Sequence, residues 1–217
     1  YIDNGTMTLV NDSVVYLQQL ANFHRHKFNI PIIGITGSNG KTTTKELMRE
    51  VLSMKYKTFA THGNLNNHIG VPLSLLAIPA DCEMAIIEMG ANHQREIASY
   101  CEYAMPDYGV ITNIGKAHLE GFGGVEGIIK GKGELFDYVN SHGGMCLVNT
   151  ELVHLDTMAE SIQHKKYGFK TGGFHLQTVA EHPTLSFEFS TPSDDNSYAC
   201  HAQMAGTYNL FNMATAI

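Results

Sequence analysis

Short apolar runs alternate with helical patterns along most of this sequence, and this alternation limits the fold more than any other feature. From Phe28 onward, the strand-like runs are IPIIGIT, CEMAIIEM, YGVITNI and MCLVN, and helical patterns such as KTTTKELMREVLSM and VEGIIKGKGELFDYV lie between them. Such alternation is typical of βαβ units around a parallel sheet. Because MAIIEM and GVIT are almost continuously apolar, their strands should be covered on both faces. We therefore predict an α/β fold with a mostly parallel sheet and helices on both faces.

The two ends of the sequence depart from this pattern. Between Ser13 and His26, apolar residues recur close to helical spacing, which predicts a helix leading towards the first strand. From about Gly168, short alternating runs such as TLSFEFS and YACHAQM predict a small antiparallel subsheet near the C-terminal end. The final run, GTYNLFNMATAI, begins an apolar helix, and its uncovered face suggests that the polypeptide is part of something longer.

The overall composition excludes several classes of protein. The formal net charge is −7 and there is no long basic tract, which argues against a nucleic-acid partner. No apolar run approaches the roughly 18 residues of a membrane span, and the first residues lack the regions of a signal peptide. The 4 cysteines show no CxxC spacing and stand in or near apolar stretches, as reduced structural thiols do. We expect a cytoplasmic protein without a membrane span.

The segment GITGSNGKTTTKELM, residues 34–48, has the order of strand, glycine turn and helix that a phosphate-binding loop requires. Backbone N–H groups of such a turn hold phosphate oxygens, while Lys41 can neutralise them and the Thr42 hydroxyl can bind Mg²⁺. The strict motif has four residues between its glycines, whereas two separate Gly37 from Gly40. The alternative is a glycine turn without a ligand. We favour ATP or GTP binding because Gly-Lys-Thr stands between a strand and a helix.

Polar residues follow two later strands. Glu88 ends the run MAIIEM, and His118 follows the run YGVITNI and its Asn113. Ligands of open parallel sheets bind beyond the carboxyl ends of the strands, where a carboxylate can bind Mg²⁺. A solvated strand end or a helix cap is the commoner role of one carboxylate, and a lone histidine is most often a surface residue. Their positions after strands make both residues candidates.

A lysine interrupts the apolar face of the helical pattern VEGIIKGKGELFDYV. Alternating steps of four and three residues place a set of side chains along one face of this helix: Val125, Ile129, Lys132, Phe136 and Val139. Glu134 falls on the opposite side. Burial lowers the pKa of a lysine, and a neutral amine can react with CO₂ to give a carbamate with two oxygens for a metal. The alternative is that Lys132 extends its ammonium to the surface.

Several runs occur in an order that resembles the Mur ligase family, the ATP-dependent amino acid ligases of peptidoglycan synthesis. They are TGSNGKTTT, GNLNNHIGVP, IIEMGANHQREIA, VITNIGKAHLEGFGG with KGKGELF, and GTYNLFNMATA, and the resemblance extends from about Ile32 to the end. The family loop is TGxxGKT, so the glycine spacing of this chain is the family's own. Within the family, the second, third and fourth runs are most similar to members whose substrates are UDP-N-acetylmuramoyl-tripeptide and D-alanyl-D-alanine.

The resemblance implies a role for individual residues. It assigns nucleotide binding to a set of residues around the loop: Gly37, Ser38, Asn39, Gly40, Lys41, Thr42, Thr43, Asn113, Asn209 and Asn212. It assigns Mg²⁺ binding to Thr42, Glu88 and His118, joined by Lys132 once this is carbamylated to N6-carboxylysine. Lys41, Lys132 and His118 are the implied catalytic residues, and Asn66 and Asn67 belong to a loop that faces the UDP-linked substrate. The sequence NTE at 149–151 departs from the Asn-x-Asp-Asp of many relatives, which leaves a nucleotide contact from the second acidic position open.

The resemblance also implies a domain organisation and a reaction. Residues 1–27 correspond to the tail of an N-terminal UDP-substrate domain with a linker helix, and residues 28–217 to the P-loop central ATP-binding domain, which a third domain follows in the family. The implied enzyme is a monomeric cytoplasmic ligase that uses ATP and Mg²⁺ to form a C–N bond through an acyl phosphate, and this fragment would be inactive alone. Alternatives are another Mur ligase, a folylpolyglutamate synthase, which shares the central fold, and a non-catalytic nucleotide-binding module.

Overall fold

The structure, a computed structural model, describes residues 9–115, 119–168, 174–180, 184–191 and 194–217. The strands within these ranges are β1 (Ile32–Thr36), β2 (Thr58–Ala60), β3 (Met84–Glu88), β4 (Tyr108–Ile111), β5 (Met145–Asn149), β6 (His164–Gly168), β7 (Phe174–Ala180), β8 (Ser186–Thr191) and β9 (Asp194–His201). The helices are α1 (Ser13–Arg25), α2 (Lys41–Ser53), α3 (Gly70–Leu76), α4 (Glu96–Ala104), α5 (Leu119–Phe122), α6 (Val125–Ser141), α7 (Val153–Ala159) and α8 (Tyr208–Ala216).

The described strands form one mixed sheet in the order β2-β3-β1-β4-β5-β6-β7-β8-β9. Neighbouring strands from β2 to β7 pair in parallel, whereas β8 pairs antiparallel with both β7 and β9. The mostly parallel sheet and the antiparallel subsheet near the C-terminal end are therefore confirmed. Strand β1 lies between β3 and β4. After β1 the chain forms β2 and β3 on one side of it and then crosses over to form β4 on the other side. Such a switch point is where open α/β sheets bind ligands, beyond the carboxyl ends of the strands.

Alternate side chains of the central strands enter two different cores, which places helices on both faces of the sheet. Ile32 and Ile111 belong to a core with buried residues of α1, α3, α4 and α6. Ile33 and Val110 belong to a second core, which they share with Met48 of α2 and with the end of α8. Because successive side chains of a strand point to opposite faces, the prediction of helices on both faces is confirmed.

Helix α1 is fastened to the body of the fold by its last residue, Arg25. The buried guanidinium donates hydrogen bonds to the carbonyl oxygens of Ala104, Phe28 and Met105, and one nitrogen lies 3.3 Å from the Asp107 carboxylate. The helix expected from Ser13 to His26 is confirmed, ending one residue earlier. The domain boundary between residues 27 and 28 stays a prediction.

The buried face of α6 is wider than the stripe predicted from its spacing. Val125 was placed on that face but is 39% exposed, whereas the flanking Ile128 and Leu135 are completely buried. Lys132 and Phe136 are buried as predicted. Since α6 packs against α4, α5, β4 and β5, more than one stripe of its surface is covered.

Glu134, predicted on the side of α6 opposite the apolar stripe, has partners there on a neighbouring helix. Its side chain is half-buried, and its carboxylate accepts hydrogen bonds from the backbone N–H groups of Arg95 at 2.6 Å and Ala98 at 3.0 Å. These groups lie at the start of α4, where a negative charge is favourable. The α4 helix therefore supplies a partner that periodicity along α6 cannot show.

Two expectations from composition can be compared with the structure. None of the helices within the described ranges is long and apolar enough to cross a membrane. The cysteines are free thiols, and Cys82, Cys101 and Cys146 are buried. The expected apolar surroundings are thus confirmed for these three thiols.

A candidate nucleotide-binding site at the switch point of the sheet

The turn between β1 and α2 passes so close to its neighbours that only glycine fits at two positions. Both glycines have a positive φ, 146° at Gly37 and 78° at Gly40. A Cβ atom on Gly37 would overlap the hydroxyl of Thr112, and one on Gly40 would lie 2.7 Å from Oδ1 of Asn212. Glycine adopts such backbone angles without the penalty of a side chain. The turn is therefore shaped by contacts with the segments after β4 and within α8.

The segment after β4 holds this turn through hydrogen bonds. The backbone N–H groups of Ser38 and Asn39 donate to the carbonyl oxygen and to Oδ1 of Asn113, at 3.1 Å and 3.0 Å. The Thr112 hydroxyl and the Asn113 side-chain amide both donate to the carbonyl oxygen of Asn39. The first turn of a helix leaves its N–H groups unpaired, and those of residues 40–43 have no acceptor in the part of the chain that is described. These amides are the ones free to hold a phosphate.

The side chain of Lys41 folds back over the turn. Its Nζ donates to the carbonyl oxygen of Gly37 at 2.8 Å and lies 3.5 Å from that of Ser38. Burial lowers the pKa of Lys41, while the nearby Glu88 carboxylate opposes this shift. Lys41 and Gly37 line a cavity of about 290 Å³, so the cation lies where a phosphate group would enter.

Two of the predicted Mg²⁺ ligands, Thr42 and Glu88, are in contact. The Thr42 hydroxyl donates to the Glu88 carboxylate, with distances of 3.2 Å and 3.0 Å to its two oxygens. Asn66 donates to the same carboxylate at 2.8 Å, and the carboxylate is 1% exposed. Strand β3 brings Glu88 to the carboxyl edge of the sheet beside β1, as its position at the end of an apolar run predicts.

Lys45 completes this cluster, and the sequence analysis missed it. The side chain is completely buried, with Nζ 2.6 Å from the Thr61 carbonyl oxygen, 2.9 Å from that of Gly63 and 3.6 Å from the Glu88 carboxylate. A signal was present, because Lys45 precedes the buried Met48 by three residues and therefore shares its face of α2.

Lys132 is 2% exposed and faces the same cavity as Lys41. Its Nζ lies 5.5 Å from the centroid of the Phe122 ring, and no hydrogen bond or ion pair joins it to another described residue. Burial, together with the positive charge of Lys41, lowers the pKa of Lys132 to about 8. The place of Lys132 within the apolar stripe, predicted from the helical spacing, is confirmed, and the alternative that the side chain extends to the surface is wrong.

The asparagines of the predicted substrate loop lie at the same cavity. Asn66 and Asn67 both line it, and the Asn67 side-chain oxygen accepts from the N–H groups of Ile69 and Gly70 at the start of α3. The loop is thus joined to Glu88 on one side and to α3 on the other.

The predicted nucleotide contacts of α8 lie behind the turn. The buried Asn212 accepts from the Thr44 hydroxyl at 3.1 Å and donates to Asn209 at 3.1 Å. Asn209 donates in turn to the carbonyl oxygen of Ala205. These amides support the turn from beneath, and their contact with a nucleotide stays a prediction.

The fit of a metal ion can be judged from the oxygen atoms present. His118 lies outside the described residues, and among those residues no group of three or more His, Cys, Asp and Glu side chains could hold a metal. The Thr42 hydroxyl and the Glu88 carboxylate offer hard oxygen ligands. Mg²⁺ in proteins is commonly bound by one or two such groups, with phosphate and water completing the coordination, so this pair fits a metal–nucleotide complex.

Comparisons with known proteins show which proteins this chain is similar to. The ligase named UDP-N-acetylmuramoyl-tripeptide--D-alanyl-D-alanine ligase from Bacillus subtilis (strain 168) is 37% identical over 216 residues, which cover 99% of this chain and 46% of that protein. The chain spans about half the length of the curated relatives it matches.

Solved structures show the same likeness. MurF from Acinetobacter baumannii superposes with a TM-score of 0.86 at 33% identity, covering 96% of this chain and 46% of that one. MurF ligase from Thermotoga maritima, solved in complex with ADP, gives a TM-score of 0.86 at 29% identity, covering 100% and 51%. The family model of the Mur ligase middle domain matches residues 35–217. The chain therefore belongs to the Mur ligase family.

Proposed function

We propose that this chain is the ATP-binding part of a ligase that joins D-alanyl-D-alanine to UDP-N-acetylmuramoyl-tripeptide. The observation that carries the proposal is that Gly37 of the loop and the two lysines Lys41 and Lys132 line one cavity. The Thr42–Glu88 pair adjoins this cavity through Asn66, which lines it and donates to Glu88. Relatives that match nearly the whole chain bear the name of this ligase, and one of the similar structures holds ADP.

The reaction proceeds by activation of a carboxylate. The γ-phosphoryl group of ATP passes to the terminal carboxylate of the tripeptide, which gives an acyl phosphate and ADP. The amine of D-alanyl-D-alanine attacks the acyl carbon, and the tetrahedral intermediate collapses with loss of phosphate and a proton. Phosphoryl transfer requires mainly positioning and charge stabilisation, so a covalent nucleophile from the protein is unnecessary.

Each described residue of the site then has a task. The free amides of residues 40–43 and the Lys41 cation hold the phosphates. Thr42 and Glu88 hold Mg²⁺, which offsets the negative charge of the phosphate groups when it is bound. Asn66, which already contacts Glu88, places the substrate loop beside the metal position. In the same proposal, His118 helps to hold a second Mg²⁺.

The proposal includes a carbamate on Lys132. At a pKa of about 8, about a tenth of the side chains are neutral amines at pH 7, far more than for a lysine of ordinary pKa. That amine adds to CO₂ and releases a proton, so a cation facing Lys41 becomes an anion with two oxygens. The same neighbouring charge that disfavours the ammonium would then stabilise the carbamate.

The carbamate is tested by Lys132→Ala in the full-length protein, with and without bicarbonate, and with Lys130→Ala as the control on the exposed side of the same helix. We expect loss of activity for Lys132→Ala alone. Undiminished activity of this variant would rule out an essential carbamate.

The proposal also covers the remaining nucleotide contacts, the location and the oligomeric state. Asn113, Asn209 and Asn212 surround the turn that would hold the nucleotide, which makes them candidates for its contacts. The free, mostly buried cysteines are those of a protein in a reducing compartment, which supports a cytoplasmic location. The monomeric state is part of the same proposal.

The substrate assignment is tested by phosphate release from ATP in the full-length protein. UDP-N-acetylmuramoyl-tripeptide with D-alanyl-D-alanine is compared with folate and glutamate, and with the substrate pairs of the other Mur ligases. We expect release with the first pair and none when either partner is omitted. Release with another pair alone would transfer the assignment to that enzyme, and ADP binding without release for any pair would favour a non-catalytic nucleotide-binding module.

A further inference from the structure

Lys45 is a charged group in the interior that the proposed reaction does not use directly. Its side chain is completely buried, yet its ammonium group has oxygen atoms on several sides. The carbonyl oxygens of Thr61 and Gly63 accept its hydrogen bonds at 2.6 Å and 2.9 Å. Carboxylate oxygens of Glu46 and Glu88 lie at 3.1 Å and 3.6 Å.

These contacts join three separate parts of the site. Lys45 belongs to α2, the helix that begins at the phosphate-binding turn, whereas Glu88 ends β3 and the two carbonyl oxygens belong to the segment after β2. That segment continues to Asn66, which donates to Glu88, while Thr61 accepts from the backbone N–H of Glu88. The ammonium group of Lys45, on the nucleotide-binding helix, therefore contacts the strand of the proposed metal ligand and the segment that leads to the substrate loop.

The charge of Lys45 has a specific consequence for Glu88. A carboxylate that is 1% exposed is costly to keep ionised unless a cation or hydrogen-bond donors face it. Thr42 and Asn66 donate neutral hydrogen bonds. Lys45, whose side chain is completely buried, adds a full positive charge 3.6 Å from the carboxylate. The other acidic neighbour, Glu46, has a side chain 43% exposed and also pairs with Arg49 at 3.3 Å, so water and a second cation share its charge.

We propose that Lys45 is a positioning residue that holds the Glu88 carboxylate in place for the metal ion and ties the 61–66 segment to the nucleotide-binding helix. The inference rests on the proposed function, because Glu88 is taken there as a Mg²⁺ ligand. Lys45 itself touches neither the nucleotide nor the reacting groups. Groups that orient a metal ligand in this way commonly change metal affinity or activity by about 10–100-fold when they are replaced.

The experiment measures ADP binding by calorimetry in the full-length protein, once with MgCl₂ and once with EDTA. The variants are Lys45→Met, which keeps the length of the side chain without its charge, and Lys45→Gln, which keeps a donor for the carbonyl oxygens. Lys57→Met is the matched control, because Lys57 forms an exposed ion pair with Asp81. We expect the gain in ADP affinity from Mg²⁺ to fall about tenfold or more in the Lys45 variants, with binding in EDTA unchanged.

A Glu88→Gln background separates positioning from general stability. If Lys45 acts through the carboxylate, Lys45→Met added to Glu88→Gln produces no further loss of the Mg²⁺ effect. Equal losses in both backgrounds, a normal Mg²⁺ effect in a folded Lys45 variant, or failure of both neutral variants to fold would overturn the proposal. Absence of any Mg²⁺ effect in the unaltered protein would instead refute the proposed function itself.

Discussion

Replacing Lys132 by methionine is expected to stabilise the fold while abolishing ligase activity. The pKa of Lys132 is lowered from 10.5 to about 8, first by burial and then by the positive charge of Lys41. The ammonium form is therefore less favourable in the folded protein than in the unfolded chain by about 3 kcal/mol. Methionine has a similar length and no charge, so we expect the variant to gain about 2–3 kcal/mol in free energy of unfolding at neutral pH.

The direction of the pH dependence follows from the same pKa. Below pH 8 the lysine is protonated in both states, and the full penalty is present. Between about pH 8 and 10.5 the unfolded chain still binds the proton while the folded protein has released it, so the stability of the unaltered protein rises with pH in this window. The methionine variant lacks this contribution, and the two stability curves should converge towards pH 10.5.

Urea denaturation across this pH range measures the difference directly. CO₂-free buffers are required, because carbamylation would replace the ammonium form in the unaltered protein. Lys130→Met is the matched control, since Lys130 is exposed on the same helix. The reasoning is refuted if Lys132→Met is no more stable than the unaltered protein at pH 7, or if both proteins gain the same stability between pH 8 and 10.5.

Further predictions concern the turn, the carboxylate and the start of α4. Gly37→Ala should abolish nucleotide binding and lower the free energy of unfolding, measured by urea denaturation, by at least about 2 kcal/mol. The control Gly63→Ala, at a positive φ with open space around it, should leave nucleotide binding intact. Equal effects of the two substitutions on nucleotide binding would contradict this prediction. Glu88→Gln should reduce the gain in ADP affinity from Mg²⁺, measured by calorimetry, about tenfold or more. The control Glu50→Gln, at an exposed glutamate, should leave this gain unchanged. An unchanged gain in Glu88→Gln would remove Glu88 from the site. Glu134→Gln should lower the unfolding free energy by about 1 kcal/mol because it weakens charge-assisted bonds to α4, and an unchanged urea midpoint argues against it.

The fold class could be predicted because the pattern of apolar residues in a strand indicates whether one or both of its faces are covered by other elements. MAIIEM is apolar on both faces, and it becomes a strand with helices on each side. The order of the strands could not be predicted from the residues alone. Strand β1 pairs with β3 and β4, which are remote in sequence, and no local pattern records which remote segments meet.

The sequence predicted those residues of the candidate site that follow a strand or a glycine turn. Lys41, Thr42 and Glu88 meet because the carboxyl ends of adjacent parallel strands share one edge of the sheet. Lys45 was missed because a lysine near the start of a polar helix is most often solvated. The partners of Glu134 were missed because periodicity describes one helix, whereas these partners belong to another.

The two buried lysines show how a fold distinguishes a structural charge from a reactive one. Lys45 is surrounded by carbonyl and carboxylate oxygens, so its charge is compensated and its position is fixed. Lys132 faces an aromatic ring and a second cation, with no oxygen ligand among the described residues. An uncompensated buried cation lowers stability, and local rules of this kind are broken most often at functional sites. The site therefore favours either loss of the Lys132 proton or arrival of negative charge beside it, and the proposed carbamate and the proposed phosphate binding would supply these two changes.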